Sequence, residues 1–195
     1  MRKHIHPLSR RFTIAALAAL AMLSITAHAA TSQQQAREKM LKASEHEATA
    51  VKLGNGPRKV YIYFDPNCPY CKMLYQELTP YIGKDGLQFN WVPVGILTTT
   101  SHGKAAAILE AKDPAAALRQ NEEHYSRGAG GGGIKEDLIS STQTDQSLST
   151  NEKILKMGGA GEVPAIVFRA KDGQVVHVVG APPTDVVKKM LALVK

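Results

Sequence analysis

Cysteine and aromatic side chains are scarce in this chain: its 195 residues include two cysteines, one tryptophan, four phenylalanines and six tyrosines. Two cysteines exclude a disulfide-stapled miniprotein and a four-cysteine zinc module. No apolar run approaches the roughly 20 residues that a membrane-spanning helix needs. Aromatic residues do not interleave with Lys and Arg, as a groove for single-stranded nucleic acid requires, so nucleic acid is excluded as a partner. What remains is ordinary: 44% apolar and 21% charged residues, a composition that buries a core and excludes wholesale disorder. The length suits one domain, or a small domain with an appendage.

Lys and Arg outnumber Asp and Glu by 24 to 17, a formal +7. Part of that excess is local. Arg2, Lys3, Arg10 and Arg11 precede a short apolar run from Ile14 to Ile25, which closes on Ala27-His28-Ala29. A basic start, a brief apolar core and a small-x-small site describe a secretory signal peptide. The expectation is cleavage after Ala29 and export to the periplasm. Residues 1–29 hold no acidic side chain, so their removal leaves 20 basic against 17 acidic groups, or +3. The basic surplus belongs mostly to the export address.

Residues 30–56 read as a short N-terminal helix and linker, with helical spacing of Ala36, Met40, Ala43 and Val51 over Thr31 to Leu53. Gly54-Asn55-Gly56-Pro57 breaks the chain, and residues 57–195 read as the main domain. Lys59 to Phe64 is β-branched and aromatic, a buried strand, and Asp65-Pro66-Asn67 turns it into a helix over Pro69 to Tyr81. Leu87 to Ile96 around Trp91 is a second strand. A helical insertion over about 101–157 follows, with two helical pieces from His102 to Tyr125 and an N-cap at Asp113-Pro114. Gly128 to Gly133 reads as a flexible glycine loop, and Ser149-Thr150-Asn151-Glu152 as a capping box opening a short helix that ends at Gly158-Gly159. Pro164 to Phe168 and Gln174 to Val179 form a hairpin about Asp172-Gly173, and Pro183 to Val194 a terminal amphipathic helix. A βαβ unit followed by ββα gives an α/β fold, a small mixed sheet with helices on its faces. Phe64, Phe89 and Trp91 read as core, and Asp65 as a turn former that could also influence a neighbouring cysteine.

Both cysteines lie in Cys68-Pro69-Tyr70-Cys71, at the junction of a buried strand and a helix. Cys68 therefore falls at a helix N-terminus, where free backbone N–H groups and the macrodipole favour a thiolate. Such placement lowers a cysteine pKa from about 8.5 to roughly 3.5–7.5. Cys71, one turn further in, is shielded and within reach of a disulfide with Cys68, while Pro69 suits the first helical turn. Three other uses compete. A structural disulfide across so short a ring constrains little chain entropy. A metal site lacks further ligands at suitable spacing, since His46, His102, His124 and His177 form no pair. Covalent haem needs histidine after the second cysteine, and Lys72 stands there. Gly128 to Gly133 satisfies the dinucleotide-binding glycine pattern in letters but follows a helix, not a strand.

The C-x-x-C pair after a strand, with Val163-Pro164-Ala165 opening a later hairpin, resembles the thioredoxin fold. Phe64 to Lys72, Pro80, Ala107-Ile108-Leu109, Ala111 to Ala115 and Asn151-Glu152-Lys153 are, in order, similar to the catalytic domain of the DsbG and DsbC group of periplasmic disulfide isomerases. The resemblance covers roughly residues 57–195. It implies a thioredoxin-like fold (βαβ, helical insertion, ββα), Cys68 as nucleophile, Cys71 as resolving cysteine and a redox-active Cys68–Cys71 disulfide. It also implies a cis peptide before Pro164, with Val163 and Pro164, together with Pro69 and Tyr70, facing substrate. That group usually carries threonine before the cis-proline; this chain has Val163 there, and valine is the residue of DsbA-type oxidases. Residues 30–56 are fewer than the group's N-terminal dimerisation module, so a monomer or weak oligomer is expected.

The activity so implied is thiol–disulfide exchange on exported proteins, without a cofactor and without a metal. The redox partner in the membrane would be of DsbD type for an isomerase or reductase, or of DsbB type for an oxidase. Reduction of sulfenic acids on single cysteines belongs to the same chemistry. The rival reading is a non-catalytic periplasmic thioredoxin-like module, a chaperone or metal-handling protein whose cysteines form a clasp or bridge.

Overall fold

The computed structural model describes residues 31–159 and 161–195. The expected signal peptide and its cleavage site lie outside the described residues. The chain divides into two units, Met1–Gln35 and Ala36–Lys195. Of the first, the described residues 31–35 are helical, and this helix, α1, runs over 31–46. The second holds all remaining elements: β1 (Val51–Leu53), β2 (Arg58–Phe64), α2 (Pro69–Leu78), β3 (Leu87–Pro93), α3 (Ser101–Glu110), α4 (Pro114–Glu123), α5 (Thr142–Met157), β4 (Ala165–Arg169), β5 (Val175–Val179) and α6 (Thr184–Leu193).

The five strands form one mixed sheet in the order β1-β3-β2-β4-β5. Only β2 and β3 are parallel, with Ile62 opposite Trp91; β1 joins β3, and β4 joins both β2 and β5, antiparallel. The apolar run of β2 is explained by burial on both faces. Alternate residues Val60, Ile62 and Phe64 enter a core with Leu74 and Leu78 of α2 and Val187 and Leu191 of α6. Tyr61 and Tyr63 point the other way, into a second core with Met40 and Leu41 of α1 and Ile154 and Leu155 of α5. The result is a sheet between two helical layers. Trp91, Phe64 and Phe89 are fully buried, with Phe64 edge-on to Trp91 at 5.5 Å between ring centres.

Three local expectations are corrected. The N-terminal helix stops at residue 46 rather than continuing to Leu53, because Val51–Leu53 pairs with β3 as an edge strand. The capping box at Ser149 does not open a helix: α5 starts earlier, with Ser141 accepting from the Thr144 backbone N–H, and Asn151 is buried inside it. Asn151 donates to the carbonyls of Thr49 and Pro93 and accepts from the Thr49 N–H, so its side chain bridges elements instead of capping. The glycine loop is not a free flexible segment. Gly131 and Gly132 are buried against the residues that precede Cys68, and Ser126 pairs with Gly131 through two backbone hydrogen bonds. A side chain at Gly132 would collide with Asn121 and the Pro66 carbonyl, which is the close approach that only glycine permits. The remaining elements stand where the sequence places them: Asp113 caps α4 by accepting from the Ala116 N–H, and Gly173 turns the β4–β5 hairpin at a φ of +87°.

Candidate active site

The site is built where β2 runs out. Asp65, fully buried one residue past the strand, turns its carboxylate inward. One oxygen accepts from the Asn67 N–H (2.8 Å) and the Ser101 hydroxyl (2.7 Å), the other from the N–H groups of Ile96 (2.8 Å) and Leu97 (2.9 Å). Four donors compensate the buried charge. The turn role expected of Asp65 is thus part of a wider one, since it also pins the β3–α3 connection to the loop before Cys68.

Asn67, 6% exposed, carries the second layer of support. Its amide donates to Thr98, Thr100 and Ser101 hydroxyls, and its carbonyl accepts from Lys104 Nζ (2.9 Å) and the Gly132 N–H (3.2 Å). Lys104 is itself buried on α3 and donates also to the carbonyls of Gly130 (3.0 Å) and Gly132 (2.8 Å). A lysine inside the fold thereby ties the helical insertion and the glycine loop to the residue next to Cys68. Tyr125 closes the ring by donating to the backbone carbonyl of Asn67 (3.0 Å).

Cys68 is the N-cap of α2, with extended backbone angles and Pro69 at the first helical position. Its sulfur accepts from the Cys71 N–H (3.3 Å), one of the orphan donors at a helix start. Cys68 is 2% and Cys71 0% exposed, and both are free thiols in this structure. The two differ electrostatically. The hydrogen bond from Cys71 holds the Cys68 thiol below the usual cysteine range, aided by the backbone N–H groups of Cys71 and Tyr70 and opposed by burial and the Asp65 charge. Burial pushes Cys71 well up, and donating to Cys68 reinforces the shift. The arrangement favours a thiolate at Cys68 and a protonated Cys71.

The Val163–Pro164 peptide bond is cis and opens β4 beside the cysteines. The Cys68 thiol points at the Val163 carbonyl at 3.7 Å. Tyr70, between the cysteines, is 57% exposed, and Met73 and Leu97 are exposed nearby in sequence to the site's two loops. Cys68, Cys71, Pro69, Tyr70, Val163 and Pro164 therefore meet in one place from two distant stretches of chain. Among the described residues no group of three or more His, Cys, Asp or Glu side chains is placed to hold a metal ion.

Sequence reasoning missed Asn67, Lys104, Ser101 and Glu122. Glu122, on α4, is 1% exposed, and its Oε2 has no hydrogen-bond partner, while Oε1 accepts from Asn121 Nδ2 at 3.1 Å. Burial pushes its carboxyl up to about 8, against the hydrogen bond from Asn121. One signal was available: Glu122 stands one helical turn after Leu118, on the face of α4 that buries Ala117, Leu118 and Asn121.

With fold and site in place, the class is defined. The chain belongs to the thioredoxin-like domain family, whose family model matches residues 45–195. It is 36% identical over 130 residues to the thiol:disulfide interchange protein DsbG of Escherichia coli, covering 66% of this chain and 50% of that protein. It is 31% identical over 157 residues to DsbG of Pseudomonas aeruginosa, covering 80% of this chain and 59% of that protein. The chain thus spans about half the length of the curated relatives it matches. A solved linker-deletion variant of Proteus mirabilis ScsC shares the fold at a TM-score of 0.69, covering 98% of this chain and 97% of that one at 15% identity.

Proposed function

We propose that this chain is a thiol–disulfide oxidoreductase of the DsbG type, acting in the periplasm on exported proteins. The observation that carries the reading is the unequal pair at the start of α2: a cysteine capping the helix with its thiol held low, and a buried partner with its thiol held high. The Cys68 thiolate attacks a substrate disulfide, forming a mixed disulfide and releasing one substrate thiolate. Cys71 then attacks the Cys68 sulfur, releasing the second thiolate and leaving the Cys68–Cys71 disulfide; substrate gains the two electrons that the protein loses. The reverse sequence oxidises a substrate dithiol. The Val163 carbonyl beside Cys68 offers an extended substrate segment a backbone partner, with Pro164, Pro69 and Tyr70 forming the contact surface. No cofactor takes part. Re-reduction falls to a DsbD-type membrane partner in the isomerase or reductase reading, and re-oxidation to a DsbB-type partner in the oxidase reading; identity with DsbG favours the former.

The test is Cys68→Ser. The substitution abolishes insulin reduction and the refolding of a scrambled disulfide substrate, and undiminished activity in both assays refutes the assignment. A Cys68 pKa near the free-cysteine value, read from thiolate absorbance, would support the non-catalytic rival instead.

A further inference from the structure

Two cations stand beside the cysteine pair, and the exchange chemistry above uses neither. Lys72 follows Cys71 directly, and its N–H donates to the Cys68 carbonyl (3.2 Å). Its ammonium lies 5.7 Å from the centre of the Tyr125 ring, within reach of a cation–π contact. Tyr125 is itself fastened to the backbone carbonyl of Asn67, the residue before Cys68. Immediately after Tyr125 the chain makes a tight turn, closed by the two backbone hydrogen bonds between Ser126 and Gly131 (2.9 and 3.0 Å). The base of that turn is packed on the active-site loop, since a side chain at Gly131 would strike Asn67. Its exposed tip carries one charged residue, Arg127. The Tyr125 hydroxyl is acted on by the charges of both Arg127 and Cys68, which sets the turn on the reacting side of α2.

No acid inside the molecule answers these two charges. None of the ion pairs among the described residues involves Lys72 or Arg127. Glu122, the acid that Lys72 faces, is buried and keeps its proton up to about 8, so it leaves the lysine uncompensated at neutral pH. Asp65 spends its carboxylate on four donors of its own. On the opposite rim, the exposed acid Glu162 precedes the cis-proline loop at Val163. The site is therefore flanked by positive charge on the side of α2 and the Ser126–Gly131 turn. A thiolate nucleophile repels acidic substrates, and cations on its rim offset that repulsion and steer the encounter.

We propose that Lys72 and Arg127 select substrate segments that carry an acidic side chain beside the reacting cysteine. The preference rests on the thiol–disulfide reading and names the substrate class of that site. The substrate carboxylate supplies the counter-charge that the protein lacks, close to the ammonium over Tyr125 and the guanidinium at the turn tip. A basic residue at the same place in the substrate meets two like charges and is disfavoured.

The experiment uses the reduced full chain and three peptides, each with one cysteine held as a disulfide with the same pyridinethiol. The peptides differ only in the residues flanking that cysteine: Glu, Gln or Lys. Cys68 attacks the peptide sulfur; the Cys68–peptide bond forms, the bond to the pyridine sulfur breaks, and the released thione is read by absorbance. Each rate is divided by that of mercaptoethanol with the same peptide, which removes the peptide's own reactivity. At low salt the Glu peptide is favoured over the Lys peptide about tenfold, the size of two exposed ion pairs together. About 0.5 M salt brings that ratio towards one. In Lys72→Gln/Arg127→Gln the ratio falls to within about twofold of one, whatever the overall rate. Arg127→Glu, at an exposed turn tip where packing is not at stake, lowers the ratio at least about threefold. A wild-type ratio near one overturns the proposal, as does a ratio that survives unchanged in either variant. A chain that reacts with none of the three peptides overturns the exchange reading and this one with it, so the two failures are told apart.

Discussion

Lys104 joins three parts of the molecule that the chain order keeps apart, and its removal gives the most direct test of how the site is held. In Lys104→Met the alkyl stem is kept, so core packing changes little. Three hydrogen bonds are lost, and they are not equivalent. Asn67 Oδ1 keeps the Gly132 N–H as a donor, so it is not orphaned. Gly130 is exposed and its carbonyl takes a water molecule. The Gly132 carbonyl, in a buried residue, loses the 2.8 Å ammonium donor with no replacement. One charge-assisted bond without substitute and two partly replaced bonds together amount to about 2–4 kcal/mol, after the relief of no longer burying an ammonium group. For a domain of this size that is a fall in Tm of about 5–15 °C. Thermal and urea unfolding of the reduced protein measure it, with the urea slope checked so that a changed unfolded state is not mistaken for lost stability. The same variant leaves the Cys68 cap intact, so the initial attack on an aromatic disulfide stays within a few-fold of wild type. A loss below about 0.5 kcal/mol would refute the argument, because it would mean that water serves the Gly132 carbonyl as well as the lysine does.

Asp65→Asn acts on both stability and reactivity. Removing the carboxylate charge takes away one of the influences that raise Cys68, so the Cys68 pKa falls further, while a carboxamide cannot accept from all four donors and stability drops by about 2–4 kcal/mol; thiolate absorbance and denaturant unfolding read the two effects separately. A pKa that rises or stays put would refute the electrostatic part. The reduced protein also has a predictable pH dependence. Cys68 has a folded pKa below the ordinary cysteine value of about 8.5, so its thiolate contributes stability that is fully present above that value and is lost as pH falls through the folded pKa. Cys71, raised in the fold, contributes the opposite above that value. Stability of the dithiol therefore rises with pH towards the ordinary cysteine value and then turns over, and in Cys68→Ser the rise from this residue is absent.

Much of the fold was legible because its signals are local. The apolar run at Val60–Phe64 needed both faces covered, and it received them. Asp113-Pro114 and Asp172-Gly173 act through backbone geometry that neighbours cannot override, and both sit where their chemistry places them. The capping box at Ser149 failed for the complementary reason. Its residues satisfy a local pattern, but Leu148, Asn151 and Leu155 recur on one face of a longer helix and are buried there, so packing against the sheet decided where α5 begins. Val51 likewise fits the helical spacing of Ala36, Met40 and Ala43, and Val51–Leu53 became a strand because β3 offered a free edge.

The cysteine pair shows the same division. Its position after a buried strand and before a helix was enough to make Cys68 the cap and to set it apart from Cys71, because the helix N-terminus supplies its donors within four residues. Only the tertiary structure brought Val163 to within 3.7 Å of Cys68, 95 residues away, and placed Lys104 and Glu122 from the helical insertion behind the active-site loop. Read along the chain, both charges are simply members of the helical insertion. Burial is a property of the assembled layers, and it is burial that turns a surface lysine into a strut and a surface glutamate into an acid that holds its proton near neutral pH.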